Sequence, residues 1–143
     1  MATDRTAEVT WHGSLMEGSG TIVSTTTGAI GEQPVSWAAR SGDAAEKTSP
    51  EELIAAAHAS CFAMALSHAL AQAGNTADEL RTSATVTFQP GEGITQIKLT
   101  VEGRVPGLDE EGFRSAAEGA KAGCPVSKAL AGVPSIELDA KLA

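Results

Sequence analysis

The sequence predicts an α+β fold in which mainly antiparallel sheets surround one long, buried central helix. Segments that alternate between apolar and polar residues indicate strands, and they lie on both sides of a long, alanine-rich apolar segment. Strong helix start and stop signals bound that apolar segment. The resulting order of elements, β-β-β-α-β-β-α-α-β, is typical of helices packed on mainly antiparallel sheets.

Three strands are predicted in the first part of the chain. Residues 7–11 place apolar side chains at every second position, and residues 20–25 continue the alternation after a glycine-rich turn. Residues 35–40 form the third predicted strand, after a turn that contains glycine and proline. The small and charged residues 41–48 are predicted to form a loop.

The central helix has clear boundaries in the sequence. Ser49 is a suitable N-cap, Pro50 occupies the first helical position, and Glu52 can complete a capping box. Gly74 and Asn75 supply the C-terminal stop. Because the residues between these signals are apolar or small on nearly every side, we expect the helix to be buried all round.

The second half of the chain predicts a hairpin, two helices and a final strand. Two alternating segments are joined by a turn with proline and glycine, which is typical of antiparallel strands. An aspartate cap begins the next helix, and a proline begins a shorter one. In chain order these elements are strands 80–88 and 94–105, helices 109–122 and 125–131, and strand 135–142.

Length and charge favour one domain that spans residues 1–143. The chain has 143 residues, of which 42% are hydrophobic, and this is enough for a folded core. Its 10 Lys and Arg residues against 18 Asp and Glu residues leave a formal net charge of −8. An acidic surface repels phosphate backbones and anionic lipid, so neither nucleic acid nor a membrane is expected as a partner.

The sequence also bears on the cellular compartment. Its N-terminal residues lack the apolar segment of a secretory signal, and the longest apolar segment is interrupted by polar residues. We therefore expect a cytoplasmic protein whose apolar helix belongs to its core. In a reducing compartment, a pair of cysteines is more often catalytic or redox-sensing than structural.

The two cysteines occupy different settings. Cys61 lies in the middle of the central helix, where a cysteine is commonly a small buried apolar residue. Cys124 lies between Gly123 and Pro125, and therefore at the start of a predicted helix. Helix N-termini stabilise thiolates, so Cys124 is the cysteine whose position alone favours a low pKa.

Charged residues near these elements could support thiol chemistry. Arg40 would favour a nearby thiolate and could donate to a peroxide oxygen, although most arginines are solvated surface residues. Glu51 lies in the first turn of the central helix, where its favourable interaction with the helix dipole is sufficient to explain it. His58 and Cys61 could form one pair of metal ligands, but no second Cys/His pair completes a zinc site, so no bound metal is expected.

Two motifs resemble the osmotically inducible protein C (OsmC/Ohr) family. Residues 49–62 read SPEELIAAAHASCF and residues 120–127 read AKAGCPVS, and both runs look like signatures of that family at a similar distance from each other. Residues 9–13 add to the likeness, which extends over essentially the whole chain. Because Arg40 follows the third predicted strand, the sequence resembles the osmotically inducible branch more than the organic-hydroperoxide branch.

The resemblance implies a peroxidase of oxidative and osmotic stress defence that reduces organic hydroperoxides, and hydrogen peroxide more weakly. It also implies an intertwined homodimer without a bound cofactor, reduced by an external dithiol of the lipoyl type. By this likeness Cys61 is the peroxidatic thiol, Cys124 the resolving thiol, and Arg40 and Glu51 the supporting charges. A thiolate, a donor and a second thiol are what peroxide reduction requires.

Two consequences follow from combining the resemblance with helix geometry. The helix position favours Cys124 as the more acidic thiol, so we expect Arg40 to lower the pKa of Cys61 instead. Glu51 precedes Cys61 by ten residues on one predicted helix, which separates them by about 15 Å along its axis. We therefore expect Glu51 to act at the Cys61 of a partner subunit.

Two other functions stay open at this stage. His58 and Cys61 are three residues apart on one helix face, which would suit a hydrolase or transferase with His58 as the base for Cys61. Alternatively, the same fold could serve a redox sensor or a hydrophobic-ligand-binding protein. Turnover distinguishes these from a peroxidase, because a sensor is oxidised once and stops.

Overall fold

A computed structural model describes residues 1–42 and 46–143 of the chain. These residues form two compact units, Met1–Leu53 and Ile54–Ala143, and each unit is described by itself. The predicted loop 41–48 lies partly outside the described residues. The α+β class is confirmed, and the assignment of the whole chain to one domain stays a prediction.

The first unit contains a small antiparallel sheet with strand order β1-β2-β3. Its elements are β1 (Ala7–His12), β2 (Ser19–Thr25), β3 (Gln33–Val35), α1 (Trp37–Ser41) and the first turn of α2 (Pro50–Gln72). The first two predicted strands are therefore confirmed. Thr48 extends the pairing by one isolated bridge to Val35, next to the start of α2.

The predicted third strand, 35–40, is wrong beyond its first residue. The strand ends at Val35 because Ser36 starts a helix: its backbone is extended, and its hydroxyl oxygen accepts a hydrogen bond from the Ala39 N–H at 3.2 Å. Such a side-chain bond satisfies one of the free N–H groups in a first helical turn. Arg40 consequently lies in the last turn of α1 and not at the end of a strand.

The predicted boundaries of α2 are confirmed. The Glu52 N–H donates to the Ser49 hydroxyl oxygen at 3.2 Å, which makes Ser49 the cap. The Glu52 carboxylate accepts from the Thr48 hydroxyl at 3.0 Å, and this bond takes the place of the reciprocal half of a capping box. At the other end Gly74 adopts a φ of 86°, which favours glycine, and the Asn75 N–H closes the last turn.

The prediction that α2 is buried all round is wrong for the single chain. Its buried stripe in the second unit advances four residues at a time through His58, Phe62, Leu66 and Leu70. The other side is exposed, and Met64 there is 71% exposed. Alanines lie on both the buried and the exposed side of α2. Because alanine is apolar in either position, the sequence alone does not show which side is buried.

Length and apolar composition would allow α2 to cross a membrane, and it is the one such helix within the described residues. A single helix of this kind is weak evidence for a membrane span, because the core helix of a soluble protein meets the same criterion.

The second unit contains a three-stranded sheet with strand order β4-β5-β6. Strands β4 and β5 form the predicted antiparallel hairpin, whereas β6 runs parallel to β5. The predicted helices and final strand are confirmed, with the shorter helix ending two residues early. The elements are β4 (Glu79–Gln89), β5 (Gly93–Arg104), α3 (Glu110–Gly123), α4 (Pro125–Ala129) and β6 (Ser135–Leu142).

One apolar core joins the helices of the second unit to its sheet. Phe62 and Leu66 of α2 pack in the same cluster as Leu99 of β5 and Phe113 of α3, and all four are fully buried. This packing positions Cys61, because Phe62 directly follows it in the sequence. Ala120 of α3 belongs to the same cluster and precedes Cys124 by one helical turn.

Gly103 provides a test of this packing. A Cβ at position 103 would lie 2.5 Å from Cζ of Phe113, so Gly103→Ala must displace a fully buried ring. We expect it to lower the free energy of unfolding by about 1–3 kcal/mol, measured by urea denaturation. Gly119→Ala on α3 is the control: nothing lies near its Cβ, and we expect a gain of about 0.5–1 kcal/mol. Equal effects of the two substitutions would contradict the packing.

Candidate active site

Arg40 and Glu51 form an ion pair within the first unit. Nε of Arg40 lies 2.9 Å from Oε1 of Glu51. Arg40 comes from the last turn of α1 and Glu51 from the first turn of α2, so both short-range capping arrangements contribute to placing the pair. The Glu51 side chain is only 8% exposed, whereas that of Arg40 is 36% exposed. Arg40 therefore compensates a buried carboxylate that would otherwise be costly.

The two oxygens of the Glu51 carboxylate differ in their hydrogen bonding. Oε2 is buried and has no hydrogen-bond partner among the described residues. A buried carboxylate with one oxygen bonded to a guanidinium is held in a fixed orientation, and it holds the arginine in return. This arrangement keeps Arg40 in place while leaving about a third of its side chain accessible.

Cys61 and Cys124 meet within the second unit. Their sulfur atoms are 3.0 Å apart, although the residues are 63 positions apart in sequence, and both are free thiols. Cys61 is partly exposed on α2, whereas Cys124 is fully buried. Two thiols at this separation can be joined as a disulfide by small movements of their side chains.

The predicted helix-start position of Cys124 is confirmed. Its N–H donates to the Ala120 carbonyl at 2.8 Å, which closes α3, and its own carbonyl accepts from the Lys128 N–H at 3.1 Å, which opens α4. Pro125 occupies the first position of α4. Because one residue both ends α3 and begins α4, the backbone holds the Cys124 sulfur beside α2 with little freedom.

The two thiols differ in acidity. Burial opposes ionisation of Cys124, but donors around its sulfur outweigh that cost and lower the pKa of Cys124 below the ordinary thiol value. These donors are the Cys61 thiol, the N–H and hydroxyl of Ser127, and the N–H of Val126. Burial raises the pKa of Cys61, and its hydrogen bond and charge repulsion with Cys124 raise it further, while the Val126 N–H opposes the change.

The geometry of the contact has the Cys124 thiol donating to the Cys61 sulfur, opposite to the direction that the pKa shifts favour, and a thiol can act as donor or acceptor on either side. The donors gathered around Cys124 favour the arrangement in which Cys61 keeps the proton and Cys124 carries the charge. The Cys124 sulfur accepts no capping hydrogen bond from the first turn of α4. The N–H groups of Val126 and Ser127 therefore act on this sulfur as nearby dipoles. The prediction that helix position favours Cys124 as the more acidic thiol agrees with these shifts.

His58 and Ser127 form a further polar contact beside the thiols, which the sequence did not predict. Nε2 of the fully buried His58 lies 2.7 Å from the Ser127 hydroxyl oxygen. The sequence contains one indication of this contact: Ser127 follows Cys124 by three residues. That spacing places the Ser127 side chain in the first turn of α4. Burial lowers the pKa of His58, which favours the uncharged imidazole.

This contact bears on the hydrolase or transferase interpretation. The hydrogen bond of His58 goes to Ser127 and not to Cys61, and Nδ1 has no partner among the described residues. Among the described residues, no hydrogen bond therefore joins His58 to Cys61, as a base for that thiol would require. Within residues 1–42 and 46–143, no group of three or more His, Cys, Asp or Glu residues is arranged to hold a metal ion.

The four residues predicted for the site thus form two pairs, one in each unit. Glu51 belongs to the part of α2 in the first unit, and Cys61 to the part in the second unit. The expectation that Glu51 acts at the Cys61 of a partner subunit stays a prediction, as do the individual roles of the four residues.

The sequence of this chain is similar to those of known proteins. The family described as OsmC-like protein matches residues 42–139. Peroxiredoxin OsmC of Escherichia coli (strain K12) is 41% identical over 133 residues, which cover 91% of this chain and 92% of that protein. The resemblance first seen in two motifs therefore extends over most of the chain.

Solved structures show the same fold. An organic hydroperoxide resistance protein from Elizabethkingia anophelis superposes with a TM-score of 0.69 and 25% identity, covering 100% of this chain and 99% of that one. The organic hydroperoxide resistance protein OhrB of Bacillus subtilis gives a TM-score of 0.61 and 27% identity, covering 96% and 98%.

Proposed function

Because this chain belongs to the family of OsmC-like proteins and is a cysteine-based peroxidase, we propose that it reduces organic hydroperoxides to alcohols, and hydrogen peroxide more slowly. The observation that carries the proposal is the contact of two free thiols, 3.0 Å apart and unequal in exposure and acidity. The organic hydroperoxide resistance proteins among its structural relatives support the substrate class.

Cys61 is the proposed point of attack. It is the partly exposed thiol, whereas Cys124 is fully buried, so a bulky hydroperoxide can approach Cys61 more easily. The Cys61 thiolate attacks one peroxide oxygen, the O–O bond breaks, and a sulfenic acid forms on Cys61. The departing alkoxide takes up a proton and leaves as the alcohol.

The resting protonation state makes activation of Cys61 necessary. Because its pKa is raised by burial and by Cys124, Cys61 must pass its proton to the neighbouring sulfur or to solvent before it attacks. We assign the stabilisation of the attacking thiolate to Arg40, with Glu51 holding the guanidinium in orientation. The ion pair of 2.9 Å supports this role, since it fixes a partly exposed cation.

Cys124 completes the oxidative half of the cycle. Its thiolate attacks the sulfur of the Cys61 sulfenic acid, the S–O bond breaks, hydroxide leaves, and a Cys61–Cys124 disulfide forms. Trapping the sulfenic acid in this way prevents its further oxidation to the sulfinic acid. An external dithiol, of the lipoyl type, then reduces the disulfide by exchange, and no bound cofactor is needed.

We propose an intertwined homodimer as the working form. The exposed apolar side of α2 around Met64 supports this, because a surface of that kind is usually covered in an assembly. Two α2 helices packed together would also allow Glu51 to act beside the Cys61 of the partner. We further propose that the enzyme is cytoplasmic and acts in oxidative and osmotic stress.

Turnover with single cysteine variants tests the peroxidase proposal. The assay follows consumption of cumene hydroperoxide, tert-butyl hydroperoxide and hydrogen peroxide with dihydrolipoamide or dithiothreitol. We expect Cys61→Ser to abolish turnover, and Cys124→Ser to allow one oxidation at Cys61 without efficient cycling. Wild-type protein that is oxidised once and does not cycle with any of these dithiols would instead favour a redox sensor.

Sedimentation tests the proposed assembly. We expect the active protein to sediment as a dimer, and Met64→Glu, which places a charge on the exposed side of α2, to weaken both the dimer and its turnover. Lys98→Glu, at an exposed position of β5 outside this face, serves as the control. A monomer with full turnover would contradict the assembly.

A further inference from the structure

The short helix α4 follows directly on one of the two thiols, yet it contributes no side chain to the apolar core of the second unit. Within residues 54–143, the side chains of that core come from α2, α3, the three strands and the segments next to them. The one buried side chain of α4 is that of Ser127. Because a helix of five residues is not stable by itself, α4 needs a contact that holds it in place.

The hydrogen bond between Ser127 and His58 of α2 supplies such a contact. Nε2 of His58 lies 2.7 Å from the Ser127 hydroxyl oxygen, with His58 completely buried and Ser127 8% exposed. Nδ1 of His58 has no partner among the described residues, so the ring depends on Ser127 for its hydrogen bonding there. Losing the bond would leave two buried polar groups unpaired, which is unfavourable. The bond therefore favours the arrangement in which α4 lies against α2.

The two thiols lie one helical turn away from this bond. Cys61 follows His58 by three residues on α2, and Ser127 follows Cys124 by three residues at the start of α4. Residues three apart are neighbours on a helix surface, separated by a rise of about 4.5 Å. The sulfur contact of 3.0 Å and the hydrogen bond of 2.7 Å therefore join the same short segments of α2 and α4 at both ends.

Of these two contacts, the hydrogen bond is the stronger in the reduced protein. A thiol is a weak donor and its sulfur a weak acceptor, whereas an imidazole and a hydroxyl form an ordinary hydrogen bond. The Cys124 N–H bond to the Ala120 carbonyl ends α3 and fixes where α4 begins, and the bond between His58 and Ser127 fixes the direction in which α4 continues. After oxidation the disulfide itself joins the two segments, so the hydrogen bond matters most before the disulfide forms.

We propose that His58 and Ser127 are positioning residues that hold Cys124 within reach of Cys61 in the reduced protein, and so raise the effective concentration of one thiol at the other. Groups held near their contact distance react as though they were highly concentrated. The equilibrium of the pair with a small thiol does not depend on the peroxidase cycle. The consequence for the cycle rests on the proposed function: Cys124 is in place to trap the Cys61 sulfenic acid before a second peroxide oxidises it.

Equilibration with glutathione measures this effective concentration without any peroxide, so failure of the peroxidase proposal would leave the result readable. Forming the Cys61–Cys124 bond reduces one molecule of oxidised glutathione to two molecules of its thiol, and mass spectrometry after quenching and alkylation gives the ratio of oxidised to reduced protein. We expect Ser127→Ala to lower the effective concentration about tenfold. The reduction potential of the pair would then rise by about 30 mV. A potential equal to that of the wild type would overturn the proposal.

Ser60→Ala is the matched control for the loss of a serine hydroxyl. Ser60 directly precedes Cys61, but it is exposed, and its hydroxyl donates to the Ala57 carbonyl within α2 at 3.0 Å. Because this bond does not involve α4, we expect Ser60→Ala to keep the wild-type potential. A shift as large as that of Ser127→Ala would mean that any disturbance of α2 changes the potential, and it would contradict the role assigned to the bond between the helices.

Variants of His58 distinguish the hydrogen bond from the packing of a buried ring. His58→Leu removes the bond and should shift the potential as Ser127→Ala does, whereas His58→Gln, whose amide can donate or accept, should stay near the wild type. Combining His58→Leu with Ser127→Ala should give no larger shift than either change alone, because both remove one bond. Additive shifts, or a shift in His58→Gln as large as that in His58→Leu, would overturn the hydrogen-bond role.

Hydrogen exchange in the wild-type protein tests the docking of α4 without any variant. The Lys128 N–H donates to the Cys124 carbonyl at 3.1 Å and the Leu130 N–H to the Val126 carbonyl at 2.9 Å, so both amides report on α4. Because we expect α4 to be held already in the reduced protein, closing the disulfide with diamide should slow their exchange by less than about twofold. Much slower exchange after oxidation would show that α4 is not held before the disulfide forms, and would overturn the proposal.

Discussion

The contact between the Cys61 and Cys124 sulfurs is the interaction on which the rest of the site depends. At 3.0 Å in a partly buried setting, two thiolates would repel each other strongly, so once one sulfur is ionised the other holds its proton more tightly. The position of that proton decides which sulfur can act. The surroundings of the pair, more than either cysteine alone, therefore determine its chemistry.

Exposure and acidity are divided between the two sulfurs. Cys61 is reachable but holds the proton more tightly, whereas Cys124 is fully buried and surrounded by donors. This division suits a cycle in which one thiol meets the substrates and the other stores the charge. It is also compatible with the proposal that Cys61 attacks, although the helix-start position favours Cys124 as the more acidic thiol.

Local signals in the sequence predicted most of the fold, and failed where the structure depends on distant contacts. The Ser49 cap, the Gly74 stop and the hairpin turn act within a few residues, so they could be predicted. The predicted third strand is too long because the alternation of residues 35–40 does not reveal that the Ser36 side chain caps a helix. The His58–Ser127 bond joins residues 69 positions apart, and only the folded core shows that they meet.

Mass analysis of the reduced chain after one equivalent of cumene hydroperoxide tests the central claim most directly. The account predicts a product lighter by two hydrogens, in which peptides containing Cys61 and Cys124 of the same chain are joined by a disulfide. A product in which Cys61 gains oxygen while Cys124 stays a free thiol, or a chain that does not react, would contradict it.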